Sequence, residues 1–181
     1  RGHQVGLLDG DIYGPSIPTM LGVKWKPDAP GAMEPPVAHG VKVMSLGFFL
    51  DDPDQPVAWR GPMIHKTIAQ FLGGVRWGHL DWLIVDLPPG TGDVQLTLAQ
   101  SVPLTGGVVV CTPQDVALLD ARKAVRMFQK LNAPVLGMIE NMSGFVCGHC
   151  GHTTDIFKRD GVKRAAAEMG VPFLGALPLD A

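Results

Sequence analysis

Apolar and polar positions along the chain follow two kinds of pattern. Short apolar runs such as Val5–Asp9 and Leu83–Asp86 end on an acid, which is typical of strands in a parallel sheet. Other segments repeat apolar residues every three or four positions, most clearly from Val116 to Leu131, and this spacing predicts helices. Strands are predicted near 4–9, 42–46, 82–86, 106–111, 135–140 and 173–176, and helices near 62–76, 93–101, 116–131 and 158–169.

Strands that alternate with helices predict βαβ units. We therefore expect an α/β fold, a doubly wound and mostly parallel sheet with helices on both faces. The length of 181 residues fits a single domain over 1–181. The chain starts at Arg1 without a methionine, enters a strand almost at once, and stops just after another strand. We expect this domain to be incomplete, truncated at both ends.

Composition and charge limit the partners and the compartment that we expect for this protein. A net charge of −2 gives no basic field, so we expect no nucleic-acid partner. No uncharged apolar run is as long as a membrane span, so we expect no membrane partner. Three cysteines are too few for a disulfide framework, and they point to a reducing compartment. We expect a cytoplasmic protein.

The segment from Trp82 to Asp93 carries the strongest chemical signal. It predicts a buried strand that ends on Asp86, followed by Pro-Pro and a glycine-rich turn that contains Gly90. An aspartate at the end of such a strand is where nucleotide-hydrolysing α/β domains hold Mg²⁺. Glycines let backbone N–H groups approach a phosphate closely. The alternative is an ordinary strand and helix with Asp93 as the N-cap.

A second pair of acids follows the first predicted strand. Asp9 and Asp11 alternate at the strand end, so their side chains leave in different directions. One could face a metal-bound water network and the other an attacking water. The alternative is a turn in which these carboxylates bind neighbouring amides.

A pair of cysteines forms the third candidate site, in a loop at 145–152. Cys147 and Cys150 are three positions apart on a predicted turn and can ligate one metal ion or cluster iron, as half of a complete site. With His149 or His152 they could also bind zinc. A disulfide-isomerase motif is disfavoured, because the pair comes late in a long α/β chain. Cys111, in an apolar strand, is predicted to be an inert core thiol.

Six segments together resemble one protein family. They are 8–16, 59–63, 81–93, 112–114, 140–143 and 147–152, and they look like the Mrp/ApbC family of iron–sulfur cluster carriers. The resemblance covers about 5–180. It implies a P-loop NTPase fold of the MinD/ParA type. It also implies a homodimer that binds ATP and Mg²⁺, holds a bridging 4Fe-4S cluster on the cysteine pairs, and passes it to apo iron–sulfur proteins. It favours iron–sulfur over zinc.

The resemblance also assigns roles around the first two acidic strand ends. Asp86 becomes the acid that positions Mg²⁺, and Asp11 the switch residue that orients or activates the attacking water. Asp9 supports the metal shell. Gly90 senses the γ-phosphate through its backbone N–H.

Further roles concern the adenine base. Asn141 matches the asparagine that reads adenine, while Pro178 to Asp180 match the loop that closes over it. The chain departs from the family in two places. The family's P-loop would precede Arg1, so we expect 1–181 alone to bind and hydrolyse ATP poorly. Gly148 stands where the family usually has proline.

Two other functions stay open. A partitioning or positioning ATPase of the MinD/ParA kind would not need the cysteine pair. A zinc-binding interaction module would need no nucleotide chemistry.

Overall fold

The computed structural model describes residues 2–26, 33–50, 61–90, 92–157 and 159–179. The chain divides into two compact units, Arg1–Ser101 and Val102–Ala181, which are described separately below. The single domain expected over 1–181 stays a prediction.

The first unit is a four-stranded sheet with helices. Its elements are β1 (Val5–Asp9), α1 (Ile17–Met20), β2 (Val37–Ala38), β3 (Val41–Ser45), a 3₁₀ turn (Leu46–Phe49), α2 (Gly61–Gly73), β4 (Trp82–Asp86) and α3 (Asp93–Ser101). The strand order is β2-β3-β1-β4. β1 pairs in parallel with β3 and β4, while β2 forms an antiparallel edge. The core is apolar and includes Leu8, Ile12, Val43, Met44, Ile68 and Phe71.

The end of α2 differs from the predicted 62–76 for a local reason. Gly73 and Gly74 follow each other there, and glycine is a poor helix former. The chain then turns so that buried Val75 forms a parallel bridge with Met33. The helix therefore stops at Gly73.

The prediction that β4 is a buried strand was wrong. The strand forms where expected, but Trp82 and Ile84 are 54% and 55% exposed. β4 is the last strand of its sheet and pairs only with β1 among the described residues. An apolar run determines that a strand forms, whereas its burial depends on what packs against it.

The second unit is built around one long strand. Its elements are β5 (Gly107–Cys111), α4 (Asp115–Lys130), β6 (Val135–Val146), β7 (Thr153–Thr154), α5 (Gly161–Met169) and β8 (Phe173–Leu179). β6 pairs in parallel with β5 and β8, and in antiparallel fashion with β7. The buried residues include Val109, Val125, Phe128, Met138, Val162 and Ala166.

Helix ends and close packing fix the elements of this unit. The first turn of α4 carries Asp115 and the last turn Lys130, which complement the helix dipole. α5 starts at Gly161 rather than at the predicted 158, because Asp160 has a left-handed φ of 58°. Gly107 lies under the ring of Phe128, and a Cβ there would come within 2.7 Å of it.

The α/β class with mostly parallel strands is confirmed, and every predicted strand and helix is present. The sequence did not reveal α1, β2, the 3₁₀ turn or β7. No helix in the described ranges is long and apolar enough to cross a membrane.

Candidate functional site

Three strand ends bring polar side chains together in the first unit. In the parallel register, Asp9 pairs with Ser45 of β3 on one side and with Asp86 of β4 on the other. Carboxyl ends of parallel strands form the edge where α/β folds bind ligands. The structure therefore brings two predicted site residues, Asp9 and Asp86, to one edge, and adds Ser45.

Both carboxylate oxygens of Asp9 accept hydrogen bonds that stabilise this edge of the sheet. It is 1% exposed, and its Oδ2 accepts hydrogen bonds from the Ser45 hydroxyl at 2.8 Å and the Ile17 N–H at 3.3 Å. Its Oδ1 accepts from the Asp11 N–H at 3.2 Å. Burial raises the pKa of Asp9 above its usual value, and these hydrogen bonds oppose the rise. Ser45 also accepts from the Gly47 N–H at 3.1 Å.

The backbones at the ends of β1 and β4 approach each other closely at Gly10. The Gly10 N–H donates to the Asp86 carbonyl at 2.8 Å. A Cβ at position 10 would lie 2.8 Å from the same carbonyl oxygen, so a larger residue would push the strands apart. Glycine is required here.

Asp11 shapes the following turn. Its Oδ1 accepts from the N–H groups of Tyr13 and Gly14, both at 3.2 Å. The structure thus contains the turn that the sequence offered as an alternative, in which these carboxylates accept hydrogen bonds from neighbouring amides. Asp11 also lines a cleft of about 600 Å³ with Tyr13, Gly14, Ile64, Pro88, Pro89, Gly92, Val94 and Gln95. Asp11 can hold the turn and also face a ligand in the cleft, because its Oδ2 takes no part in the bonds to Tyr13 and Gly14.

Asp86 and Asp11 influence each other electrostatically. The pKa of the Asp86 carboxyl is raised, mainly by partial burial and further by the charge of Asp11. The residue as a whole remains exposed. A cation between the two would relieve this repulsion. Carboxylate oxygens are the donors that Mg²⁺ prefers, so the residues at this edge fit Mg²⁺ in donor chemistry.

The loop after β4 is held by a residue that the sequence did not single out. Gly90 has a φ of +96°, a left-handed conformation that favours glycine. Gln95 of α3 is 4% exposed, and its Nε2 donates to the carbonyls of Pro88 at 2.9 Å and Gly90 at 3.2 Å. A single glutamine in a helix gives no signal in sequence that it is buried under a loop.

Asn141 and Pro178 lie on neighbouring strands of the second unit. Asn141 pairs with Leu177 in the parallel register of β6 and β8, and Pro178 is the next residue on β8. Asn141 was expected just after a strand that ends at Glu140, but β6 continues to Val146. The Asn141 Oδ1 accepts from the Met142 N–H at 3.0 Å. Asp180 lies outside the described residues.

The extension of β6 forms a hairpin that presents the cysteines. Phe145 pairs with Thr154 and Val146 with Thr153. The turn is closed by hydrogen bonds from the Cys147 N–H to the His152 carbonyl and from the Gly151 N–H to the Cys147 carbonyl, both 2.9 Å. Cys150 is exposed, as are His149 and His152. The cysteine pair thus lies on a turn, as predicted, with Cys150 exposed and Cys147 half-buried.

The surroundings of the Cys147 sulfur favour a thiolate. Backbone N–H groups of Cys150 and His149 donate to it, the Cys150 thiol adds a further hydrogen bond, and together they lower its pKa. A thiolate is the form that ligates metals. Cys111 is the opposite case, since burial and then the charges of Glu140 and Asp120 raise its pKa to about 11. The prediction of an inert core thiol is consistent with this burial.

A zinc site within one chain does not assemble among the described residues. No group of three or more His, Cys, Asp or Glu side chains there is arranged to hold a metal ion. The turn offers two sulfur donors in each chain, Cys147 and Cys150, while structural zinc takes four ligands.

Glu140 is a buried acid that the sequence pattern could have revealed, because it ends a strand as Asp9 does. It is 3% exposed, and its Oε2 accepts from the Val162 N–H at 2.9 Å. It holds the first turn of α5 against β6. Its role is structural.

Comparison with known proteins places these features in a family. The family model described as "ParA: NUBPL iron-transfer P-loop NTPase" matches residues 1–181, the whole chain. The chain belongs to this family. The resemblance to cluster-carrier NTPases read from the motifs is confirmed.

Curated relatives agree with this assignment. The chain is 52% identical over 183 residues to an iron-sulfur cluster carrier protein of Methanocaldococcus jannaschii, and the match covers 99% of this chain and 63% of that protein. It is 50% identical over 182 residues to the protein of that name from Escherichia coli, covering 99% and 49%. A mitochondrial iron-sulfur protein required for NADH dehydrogenase from Arabidopsis thaliana is 47% identical, covering 98% and 57%. The chain therefore spans about half to two thirds of these relatives.

Solved structures support the same fold. A nucleotide-binding protein of Archaeoglobus fulgidus in complex with ADP matches with a TM-score of 0.82 and 37% identity, over 99% of this chain and 71% of that one. The septum site-determining protein MinD of Pyrococcus horikoshii, complexed with Mg-ADP, matches with a TM-score of 0.60 and 21% identity, over 99% and 70%. The MinD likeness concerns the fold alone. The MinD/ParA type of P-loop NTPase fold is confirmed.

Proposed function

We propose that this protein is an ATP-dependent iron–sulfur cluster carrier. The observation that carries the proposal is the exposed hairpin turn with two cysteines, of which Cys147 has a lowered pKa. The proteins that are about 50% identical to this chain are named iron-sulfur cluster carriers. A pair of thiols on a surface turn, with Cys150 exposed and Cys147 half-buried, suits a cargo that must be loaded and released.

The cluster is the cargo of the protein. A 4Fe-4S cluster is usually held by four thiolates, and one chain supplies Cys147 and Cys150. A homodimer with the two hairpins at its two-fold axis would supply all four. Apo iron–sulfur proteins would receive the cluster, in the cytoplasm.

Nucleotide chemistry would use the strand ends. We assign Asp86 to Mg²⁺, with Asp9 as its support, and Asp11 to the attacking water. Gly90 would meet the γ-phosphate with its N–H. The electrostatic repulsion between Asp86 and Asp11, which is the smaller of the two causes that raise the pKa of Asp86, supports a cation there, because a cation offsets both negative charges. Bound Mg²⁺ would neutralise phosphate charge during transfer.

The adenine base would be bound in the second unit. We assign this role to Asn141, Pro178 and Asp180. The adjacent register of β6 and β8 supports the first two as neighbours.

Anaerobic reconstitution of the full-length natural protein with iron and sulfide tests the carrier proposal. The expected result is a broad visible absorption band and about one cluster per two chains. The Cys147→Ser/Cys150→Ser variant should lose the band. The matched control is Cys111→Ala, which removes the buried cysteine and should keep it.

Other outcomes identify the alternatives. Zinc that is retained through Cys147 and Cys150, with no iron–sulfur band, would favour the zinc-binding module. ATP hydrolysis without any metal at these cysteines would favour a partitioning or positioning ATPase.

A further inference from the structure

Gln95 is a polar side chain in a place where polarity is costly. It lies in the first turn of α3, is 4% exposed, and sits beside buried Val94 and near buried Leu98. Burying a carboxamide costs free energy unless its hydrogen bonds are replaced. An apolar residue would fill this position at lower cost, so the carboxamide needs a reason.

The carboxamide nitrogen ties the loop after β4 to the helix. Its two hydrogens reach the carbonyls of Pro88 and Gly90, at 2.9 Å and 3.2 Å. The opposite orientation of the amide would place Oε1 against two carbonyl oxygens, which is repulsive. The orientation therefore follows from the bonds.

The two held carbonyls lie on either side of one peptide. The Pro88 carbonyl belongs to the peptide before Pro89, and the Gly90 carbonyl to the peptide after Gly90. Between them lies the Pro89–Gly90 peptide, which carries the Gly90 N–H. Fixing its neighbours on both sides fixes its direction, although Gly90 itself, with a φ of +96°, has the freedom to turn.

The other end of the carboxamide finds no partner in the part of the chain that the structure describes. Oε1 of Gln95 is buried and has no hydrogen-bond partner among the described residues. A buried acceptor without a partner is costly, because it has lost its bonds to water. A Cβ at Gly92 would lie 3.7 Å from this oxygen, so the same loop passes beside it.

We propose that Gln95 is the positioning residue of the nucleotide-sensing loop, which holds the Pro88 and Gly90 carbonyls so that the Gly90 N–H is aimed at the γ-phosphate. The proposal rests on the function proposed above for Gly90. Gln95 also lines the cleft with Asp11, so the loop that it holds forms a wall of the same cleft. Gln95 should therefore strengthen the binding of ATP and not that of ADP, because only ATP has a γ-phosphate.

The test uses the full-length natural protein and three variants. Gln95→Met keeps the length of the side chain and removes both hydrogen bonds. Gln95→Glu keeps the shape but, when ionised, turns a donor into a negative charge against two carbonyls. Gln100→Met is the matched control, since Gln100 is an exposed glutamine on the same helix. Affinities for ATP and ADP, ATP hydrolysis, melting temperature and the NMR order parameter of the Gly90 amide are measured.

We expect Gln95→Met to lower the ratio of ATP to ADP affinity, and kcat, by about 10-fold or more, as for loss of an oriented donor. Its ADP affinity and melting temperature should stay near those of Gln100→Met, while the NMR order parameter of the Gly90 amide should fall, because the peptide gains freedom to turn. Gln95→Glu should regain part of its ATP preference as pH falls, because a protonated carboxyl can donate. Gln95→Met should show no such recovery.

The two proposals fail in different ways. Wild-type protein that does not prefer or hydrolyse ATP would refute the nucleotide function, and the order parameter of the Gly90 amide would still test whether Gln95 holds the loop. A wild type that hydrolyses ATP with an unchanged Gln95→Met would refute only the role of Gln95. Losses that follow melting temperature in both Gln95 variants, without recovery at low pH, would also refute it and make Gln95 a structural residue.

Discussion

Cys147 and Cys111 show how position changes the chemistry of one residue type. Cys147 lies on an exposed turn, where N–H groups stabilise its thiolate and lower its pKa. Cys111 lies in β5, where burial disfavours the charged form and raises its pKa to about 11. Both effects act on the thiolate, with opposite signs.

This contrast predicts different rates of alkylation by iodoacetamide. A lowered pKa raises the thiolate fraction at a given pH, so the rate for Cys147 should reach half its maximum at a lower pH than for a cysteine in an unstructured peptide. Cys111 should stay unlabelled near neutral pH. Mass spectrometry of the reduced, metal-free protein measures both.

Urea supplies the control for this experiment. In the unfolded chain the two cysteines should react alike. A midpoint for folded Cys147 at or above that of the peptide would show that the turn does not stabilise the thiolate.

β6 is the element on which the second unit depends. It pairs with three strands, carries Asn141, and extends into the cysteine hairpin. Glu140, near its middle, holds the start of α5 through the Val162 N–H. Part of the strand therefore organises packing, while the part beyond it presents the candidate ligands.

The Glu140 contact predicts a loss of stability. Glu140→Ala leaves the Val162 N–H without its acceptor, and we expect the free energy of unfolding to fall by about 1–3 kcal/mol. The control is Glu168→Ala, which removes an exposed ion pair with Arg122 and should cost about 1 kcal/mol or less. Urea unfolding of the natural protein measures both. Equal losses would contradict the anchoring role of Glu140.

The whole molecule raises the question of how many cooperative units it has. The sequence predicts a single domain over 1–181, whereas its contacts group into two compact units. All four tryptophans belong to Arg1–Ser101, and buried Cys111 belongs to the other unit. The chain thus carries a natural reporter for each unit.

If the domain is single, both reporters should change together. We expect tryptophan fluorescence and labelling of Cys111 to give the same urea midpoint, since single domains of this size commonly unfold in one step. Cys147→Ser/Cys150→Ser protein keeps the labelling specific to Cys111. Midpoints that differ clearly would show two independently folding domains.

The sequence by itself determined the longer strands and helices and the chemistry at their ends, but not the short elements α1, β2, the 3₁₀ turn and β7. Apolar periodicity placed every predicted strand and helix, because it follows from which residues must avoid water. Asp9 and Asp86 were placed because they end predicted apolar strands, and the cysteine turn was placed by the spacing of Cys147 and Cys150. Boundaries shifted where backbone conformation decided them, as at Gly73 and Asp160.

Only the tertiary structure decided which of these residues meet. Register brings Ser45 beside Asp9, and packing buries Gln95 under a loop, because both depend on partners that are distant in sequence. The exposure of β4 and the extension of β6 past Glu140 have the same origin. Local pattern sets the conformation of a segment, whereas its burial and its partners are set by contacts that the pattern does not contain.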